Sequence, residues 1–285
     1  MQPLTARTKL VGLIGWPVGH SVSPKMHNAA FEYLGLDWRY VPLPVNIEPT
    51  ERISEAVAGL RALGFQGANV TVPHKQSVIR FLDKLTDAAA AIGAVNTIQV
   101  CEDGSLLGDN TDAPGFIADL RDNDIDPYGQ QVTVLGAGGS ARAVVFGLAE
   151  AGASSITIVN RTASRAVELA SAMQGHFDGC DIQAAATDAD EWSPASIVVN
   201  CTSVGMTPNT DAMPWSSDKP FRPDQRVYDL VYNPSPTKLS AFAAASGAHA
   251  VNGIGMLFWQ GAIAFKRWTG LDAPVDMMRA AIVSN

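Results

Sequence analysis

Polar side chains suited to chemistry recur in the first 112 residues of this 285-residue chain, each near the end of a predicted strand. They are Ser21, Ser23, Asn69, Thr71, Lys75, Asn96 and Asp112. In open α/β sheets, ligands bind beyond the carboxyl ends of the strands, so we expect these groups to converge. Two hydroxyls suit a carboxylate, and amides, a lysine and an aspartate suit several hydroxyls. The set predicts a site for a small polyhydroxylated acid.

A second candidate site begins at "LGAGGSARA", residues 135–143. Gly136, Gly138 and Gly139 follow an apolar strand, and Ser140 opens an amphipathic helix. Glycines let the backbone approach a pyrophosphate, and the N–H groups of a helix N-terminus bind its charge. The spacing alone is weak evidence, because a tight turn without a ligand has the same pattern. The strand before it and the helix after it favour dinucleotide binding.

The end of the following strand predicts which dinucleotide binds. Enzymes that use NAD usually place Asp or Glu there to bind the ribose 2′-hydroxyl. This chain instead has "IVNRTASR", with Asn160, Arg161, Thr162 and Arg165. A carboxylate would repel a 2′-phosphate, whereas a guanidinium binds it with bidentate geometry. We therefore predict NADP as the cofactor.

The elements that carry these residues alternate between strands and helices. In the first unit we predict strands over 9–15 and 67–72, and a helix over 51–63. A helix is predicted from Ser23, its N-cap, and another through "KQSVIRFLD", which follows Pro73. The stretch "AVNTIQVCEDGSLLG" predicts a hairpin that turns at Asp103-Gly104.

The fold predicted from this alternation is α/β with two domains. An open α/β substrate-binding domain covers 1–112, a connecting helix and linker cover 113–128, and a Rossmann-like NADP-binding domain covers 129–252. Two terminal helices within 253–285, the second through Ser284, have apolar faces that need a partner. We expect these helices to return to the first domain and complete it.

Composition excludes several other function classes. The net charge of −8 includes no basic stripe, which argues against a nucleic-acid partner. Cys101, Cys180 and Cys201 form no CxxC pair, so neither a disulfide framework nor a metal site is expected. No segment approaches ~18 apolar residues and no secretory signal is evident, so we expect no membrane partner and a cytoplasmic location.

Seven short motifs span essentially the whole chain: "GHSVSPKMHN", "GANVTVPHK", "GAVNT", "GDNTDAPGF", "GAGGSARA", "NRTASR" and "NGIGMLFWQGA". Each is modest alone, but in this order they resemble the shikimate dehydrogenase family. The resemblance implies an oxidoreductase that reduces 3-dehydroshikimate to shikimate with NADPH, reversibly, in chorismate and aromatic amino-acid biosynthesis. The first domain would then bind the substrate and the second the cofactor.

The resemblance also implies a role for each matching position. Lys75 matches the catalytic lysine, and we pair it with Asp112. Ser21 and Ser23 would bind the substrate carboxylate. The substrate hydroxyls would be bound by Thr71, Asn96, Asp112 and Gln260, with Tyr232 nearby. The cofactor contacts would be Asp87, Gly136, Ala137, Gly138, Gly139, Ser140, Asn160, Arg161, Thr162, Arg165, Leu230 and Gly253.

Some positions depart from the family pattern or carry no predicted chemistry. Leu230 stands where many relatives have Met, and Asn252 where many have Asp; neither change affects the expected chemistry. His74 occupies a position at which relatives vary, so we predict no catalytic role for it. His20 and His27 are interpreted as structural residues.

Two alternative functions stay open at this point. One is a quinate or aminoshikimate dehydrogenase of the same family, although quinate-active relatives often have Thr at the position of Ser23 and NAD users an acid at that of Arg161. The other is a non-catalytic cofactor-binding regulator, which predicts loss of Lys75 or Asp112. The sequence leaves open a monomer or a homodimer, and whether Lys75 acts as an acid–base group or through its charge.

Overall fold

The computed structural model of the chain describes residues 4–187 and 195–283. The chain divides into two compact units, one formed by residues up to Thr111 and from Phe258 onward, the other by Asp112–Leu257. The predicted α/β class with two units is confirmed. The second unit begins at Asp112, at the start of the helix that the sequence suggested as a connection.

The first unit begins with alternating strands and helices. Its elements are β1 (Lys9–Gly15), α1 (Ser23–Tyr33), β2 (Trp38–Pro44), α2 (Arg52–Ala62), β3 (Phe65–Val70), β4 (Lys84–Leu85), α3 (Asp87–Ile92), β5 (Thr97–Val100) and β6 (Leu106–Asp109). The sheet order is β2-β1-β3-β5-β6-β4. Strand β1 is parallel to both β2 and β3. The last five residues of β1 are buried, as expected for a strand with helices on both faces of its sheet.

Strands β5 and β6 confirm the predicted hairpin. They pair antiparallel, and Gly104 in the turn between them has a φ of +78°, a conformation that glycine adopts without steric cost. Thr86 is the N-cap of α3, and its hydroxyl accepts a hydrogen bond from the Ala89 N–H at 3.2 Å. This cap fixes the start of α3, where Asp87 is the first helical residue.

Two local predictions in the first unit are wrong. Ser23 is the first residue of α1 rather than its N-cap; the N-cap is Val22, which makes no side-chain cap. The Ser23 hydroxyl is buried instead, on the side of Tyr40. The predicted helix through "KQSVIRFLD" is a series of turns that contains one short 3₁₀ helix, Ile79–Phe81. Lys75 therefore lies in a turn and not at a helix N-terminus.

The second unit begins with α4 (Asp112–Asp122) and continues with a regular alternation. The elements are β7 (Gln131–Leu135), α5 (Gly139–Glu150), β8 (Ser155–Val159), α6 (Ala163–Gln174), β9 (Asp181–Ala185), β10 (Ile197–Asn200), β11 (Arg226–Asp229), α7 (Lys238–Ala245) and β12 (His249–Asn252). All pairings in its sheet are parallel. The order β9-β8-β7-β10-β11-β12 is the 3-2-1-4-5-6 order of dinucleotide-binding folds.

The chain ends with α8 (Ile254–Thr269) and α9 (Val275–Val283). Ser284, to which the sequence extended the last helix, lies outside the described residues. From α8, Phe258, Phe265 and Trp268 pack in one apolar cluster with Phe31 of α1 and Tyr40 of β2. The opposite face of the first sheet is covered by α2. Within the described ranges, no helix has both the length and the apolarity that crossing a membrane requires.

Candidate active site

A buried network of polar side chains in the first unit centres on Asn96, directly before β5. The Asn96 Nδ2 group donates to Thr111 Oγ1 at 3.0 Å and to Gln260 Oε1 at 3.4 Å. Its Oδ1 atom accepts from the Thr111 N–H at 2.7 Å and from the Thr97 hydroxyl at 3.0 Å. The start of β5, the segment after β6 and helix α8 are thus joined at one amide.

An arm of this network extends to the start of α1. Asn69 Nδ2 donates to the Asn96 carbonyl at 3.2 Å and to Thr97 Oγ1 at 3.1 Å. Asn69 Oδ1 accepts from the Tyr40 hydroxyl at 2.8 Å, and the Tyr40 oxygen accepts from Ser23. Burial raises the pKa of Tyr40 above its ordinary value, so this hydroxyl stays protonated and donates. The network therefore brings Ser23, Asn96 and Gln260 into one set of hydrogen bonds.

The turn that carries Lys75 is held by specific bonds in place of helical ones. The His74 N–H donates to the Thr71 carbonyl at 2.9 Å, and the Lys75 carbonyl accepts from the Val95 N–H at 2.8 Å. The buried His74 ring donates from Nε2 to the Val45 carbonyl at 2.7 Å. These contacts fix the backbone on both sides of Lys75. Lys75 itself is partly exposed. The His74 ring therefore anchors this turn.

Asp109 connects three further segments of the first unit. One carboxylate oxygen accepts from the Thr86 hydroxyl at 2.7 Å and from the Asn110 N–H at 2.8 Å. The other forms an ion pair with Arg267 Nε of α8 at 2.9 Å. The start of α3, with exposed Asp87, is thereby tied to the segment that leads toward Asp112.

Several members of the buried network were missed by sequence reasoning. Thr97 and Thr111 lie within the motifs "GAVNT" and "GDNTD", which the sequence analysis singled out. Their hydrogen bonds depend on strand register, so the motifs alone did not predict them. Tyr40 looks like an ordinary strand residue with a buried ring. No neighbouring residue indicates that the Tyr40 hydroxyl forms a buried hydrogen bond, because its acceptor Asn69 is 29 residues away along the chain.

The remaining predicted substrate residues lie elsewhere. Ser21, before α1, accepts from the Ser23 N–H at 3.3 Å. Asp112 and Tyr232 belong to the second unit, Asp112 as the buried first residue of α4. Burial raises the pKa of the Tyr232 hydroxyl above its ordinary value. The described residues contain no group of three His, Cys, Asp or Glu placed to hold a metal ion.

The glycine turn of the second unit follows β7, where the sheet order reverses between β7 and β10. Gly136 has a φ of +110°, and a Cβ there would lie 3.1 Å from Thr202 Cγ2 and 3.3 Å from the Cys201 carbonyl carbon. Gly138 is exposed, and a Cβ on it would meet nothing within 4 Å. Packing therefore explains the glycine at 136 but not at 138. An open glycine before the α5 N-terminus fits a dinucleotide pyrophosphate.

The segment after β8 fits a phosphorylated ribose. Arg161, Thr162 and Arg165 are exposed, and neither arginine forms an ion pair within the described part of the chain. The Asn160 side-chain amide donates to the Thr162 carbonyl at 2.9 Å, which shapes the turn before α6. The segment 160–165 contains no carboxylate. Its donors suit the 2′-phosphate that distinguishes NADP from NAD.

Leu230 and Gly253 lie against each other beyond the ends of β11 and β12. A Cβ on Gly253 would lie 2.3 Å from the Leu230 carbonyl oxygen, so only glycine permits this backbone approach. The Leu230 N–H donates to the Asn200 carbonyl at 3.0 Å. Leu230 is therefore held between β10 and the segment that opens α8.

Comparison with known proteins identifies the family of the chain. Family models match the chain over residues 13–98 (shikimate dehydrogenase substrate binding domain), 120–206 (shikimate / quinate 5-dehydrogenase) and 253–283 (shikimate 5'-dehydrogenase C-terminal domain). A relative from Moorella thermoacetica, named shikimate dehydrogenase (NADP(+)), is 48% identical over 281 residues, which cover 98% of this chain and 94% of the relative. The chain belongs to the shikimate dehydrogenase family. The family predicted from the seven motifs is confirmed.

Solved structures of the family share the fold. A crystal structure of a shikimate dehydrogenase in complex with NADP⁺ has a TM-score of 0.90 and 40% identity, covering 99% of this chain and 96% of that one. A quinate dehydrogenase from Corynebacterium glutamicum in complex with NAD has a TM-score of 0.89 and 29% identity, covering 98% and 99%. The fold is therefore shared with a shikimate dehydrogenase that has NADP⁺ bound and with a quinate dehydrogenase that has NAD bound.

Proposed function

We propose that this protein is an NADP-dependent shikimate dehydrogenase that reversibly reduces 3-dehydroshikimate to shikimate. The observation that carries the proposal is that this member of the family has all three of Lys75, Asp112 and Arg161. The first two residues supply the chemistry, and Arg161 supplies the preference for NADP. The reaction would serve chorismate and aromatic amino-acid biosynthesis.

The first unit would bind the acid through its strand-end polar groups. Ser21 and Ser23 would bind the substrate carboxylate, and Thr71, Asn96, Asp112 and Gln260 its hydroxyls, with Tyr232 nearby. Support comes from the hydrogen bonds that already orient Ser23, Asn96 and Gln260. A ligand that meets oriented donors loses little free energy to reorganisation of the protein.

The second unit would hold the cofactor by residues that fit its parts. The 136–140 turn and the α5 N-terminus would bind the pyrophosphate, and Asn160, Arg161, Thr162 and Arg165 the adenosine end. Leu230 and Gly253 would line the nicotinamide end, together with Asp87. The bound cofactor supplies a hydride to the C3 carbonyl of the substrate.

Lys75 is the group that would complete the reduction. Its Nζ atom would donate a proton to the oxygen that gains negative charge, and its positive charge would stabilise that oxygen beforehand. In the reverse direction the same nitrogen would accept the proton. Asp112 would orient Lys75 and one substrate hydroxyl, so the pair acts jointly. The fixed backbone around Lys75 supports this assignment, because proton transfer requires a positioned donor.

A quinate dehydrogenase that uses NAD is the second candidate, since a protein of that name shares the fold. Ser23 and the absence of an acid at Arg161 favour shikimate and NADP. The test is a spectrophotometric panel of shikimate and quinate, each with NADP⁺ and NAD⁺. We expect the highest kcat/KM for shikimate with NADP⁺. A higher value for quinate with NAD⁺, or no activity in any combination, would overturn the proposal.

We further propose a cytoplasmic enzyme that works as a monomer or a homodimer. All three cysteines are free thiols, which suits a reducing compartment. Light scattering of the purified chain, with and without NADP⁺, distinguishes the two oligomeric states.

A further inference from the structure

Two buried polar side chains lie side by side at the ends of β10 and β11. Asn200 and Asp229 are paired in the strand register, and neither is exposed to solvent. Asn200 Nδ2 donates to Asp229 Oδ1 at 2.8 Å. The sequence analysis assigned no role to either residue. A carboxylate without solvent contact is costly in a fold, so its contacts must explain why it is there.

The remaining bonds of the pair go to the chain segments that leave the two strands. Asn200 Oδ1 accepts from the Thr202 N–H at 2.9 Å and from the Thr202 hydroxyl at 2.7 Å. Asp229 Oδ1 also accepts from the Val231 N–H at 3.0 Å, and Oδ2 accepts from the Thr237 hydroxyl at 2.6 Å. Burial raises the pKa of Asp229, whereas the hydrogen bonds that its carboxylate accepts from Thr237, Val231 and Asn200 lower it.

The two oxygens of Asp229 therefore have different tasks. Oδ2 binds Thr237, the N-cap of α7, which is a structural contact. Oδ1 binds the backbone of Val231, between the nicotinamide-lining candidate Leu230 and the substrate candidate Tyr232. Leu230 has no room to shift, because its N–H is bonded to the Asn200 carbonyl and its own carbonyl abuts Gly253.

We propose that Asn200 and Asp229 are positioning residues for the reaction: they fix the backbone of residues 230–232, and with it the nicotinamide end of the cofactor site. This inference rests on the proposed function. The pair acts through Leu230 and Tyr232 and touches neither substrate nor cofactor. It sets geometry where the hydride would leave, at the opposite end of the cofactor from Arg161.

The test compares Asp229→Ala with Thr237→Val in the whole chain. Asp229→Ala removes the acceptor of the Val231 N–H and the partner of the Asn200 amide, and so releases residues 230–232. The kcat with NADP⁺ and shikimate should therefore fall about 10- to 100-fold. Adenosine 2′,5′-bisphosphate carries the 2′-phosphate but no nicotinamide, and its inhibition constant should not change. Thr237→Val removes the α7 cap and the bond to Asp229 Oδ2, but leaves the Val231 and Asn200 bonds to Oδ1 in place. It should therefore lower the melting temperature and leave kcat near the wild-type value.

Each other outcome has a defined meaning. If Asp229→Ala keeps the wild-type kcat, or loses activity only in step with its folded fraction, the inference is wrong. If Asp229→Ala does not fold, Asn200→Ser with the same measurements decides: a lower kcat with unchanged inhibition supports the pair, and an unchanged kcat overturns it. A wild-type enzyme inactive on shikimate with NADP⁺ would instead overturn the proposed function.

Discussion

The two candidate sites are built in opposite ways. In the first unit, Ser23, Asn96 and Gln260 are buried and hydrogen-bonded within one polar network before any ligand arrives. In the second unit, Arg161 and Arg165 are exposed, with no ion pair among the residues that the structure describes. One site has its donors oriented by the fold, and the other presents free charge to solvent.

This difference separates two ways of obtaining specificity. Oriented groups in a buried network discriminate by geometry, because a substrate must match positions that the fold has already fixed. Exposed guanidinium groups discriminate by charge, because only a phosphate compensates for their desolvation. Substitutions in the first unit should therefore change stability and function together, whereas those at Arg161 should change cofactor preference alone.

The largest expected effect is that of Lys75→Ala. The kcat should fall about 10²–10⁴-fold, the usual contribution of a positioned acid–base group, while the KM for shikimate changes far less. Steady-state kinetics at saturating NADP⁺ provide the measurement. Lys84→Ala is the matched control, since Lys84 is an exposed lysine of the same unit. A Lys75→Ala enzyme with near wild-type kcat would disprove the catalytic assignment.

Arg161→Asp tests the charge-based half of the comparison. The new carboxylate repels a 2′-phosphate and offers an acceptor to the ribose hydroxyl of NAD, so preference should move toward NAD⁺. Loss of the guanidinium should lower kcat/KM for NADP⁺ about 10- to 150-fold. Arg165 partly compensates in Arg161→Ala, which makes the Asp variant more informative. The exposed Arg52 supplies the control Arg52→Asp, and an unchanged cofactor ratio in Arg161→Asp contradicts the assignment.

Asn96→Ala tests the geometry-based half. It removes the acceptor of the Thr111 N–H and leaves buried donors without partners, so the free energy of unfolding should fall by about 1–3 kcal/mol. The KM for shikimate should rise in the same variant. Urea unfolding of Asn96→Ala and Arg161→Ala provides the direct contrast, because the exposed arginine should contribute little to stability. Equal losses in the two variants would remove the distinction between the sites.

His27 should affect stability alone, through a single buried ring. Its ring is stacked on Tyr40 at 4.5 Å, neither nitrogen has a hydrogen-bond partner among the described residues, and burial lowers its pKa from 6.5 to about 3. The unfolded chain therefore binds a proton below pH 6.5 that the folded chain does not. Stability should fall with decreasing pH between 6.5 and 3, by about 1.4 kcal/mol per pH unit from this group.

The measurement for His27 is urea unfolding at pH 7.5 and pH 5. His27→Gln should reduce the loss of stability between these values by about 2 kcal/mol, since the variant lacks the titrating ring. The exposed histidine variant His249→Gln should keep the wild-type pH dependence. The same pH dependence in His27→Gln and in the wild type would show that the ring does not titrate as its burial requires.

The contrast between the units also decides what the sequence could predict. The glycine turn before α5 and the β5–β6 hairpin depend on neighbouring residues, so local patterns were sufficient to predict them. Tyr40, Asp109 and Asp229 depend on partners far along the chain and gave no local signal. The assignments of individual site residues to substrate or cofactor stay predictions.

The two wrong local predictions have the same physical cause. A serine followed by proline is a good helix start, and this pattern predicted Ser23 as the N-cap. The Ser23 hydroxyl instead bonds to the buried hydroxyl of Tyr40, and the N-cap of α1 is the preceding residue, Val22. The segment after Pro73 has helix-forming residues, but His74 and Lys75 bond to Val45 and Val95 instead. Tertiary hydrogen bonds outweighed local propensity in both places.

The discontinuity of the first unit has a consequence for synthesis of the chain on the ribosome. Its apolar cluster requires Phe258, Phe265 and Trp268, which are translated after the whole of the second unit. The second unit, although later in sequence, has all of its residues available first and can fold while the N-terminal part still lacks its last helices. The ribosome thus releases a cofactor-binding unit before the substrate-binding unit is complete. A chain that ended at Leu257 would contain every residue of the second unit and would lack the last helices of the first.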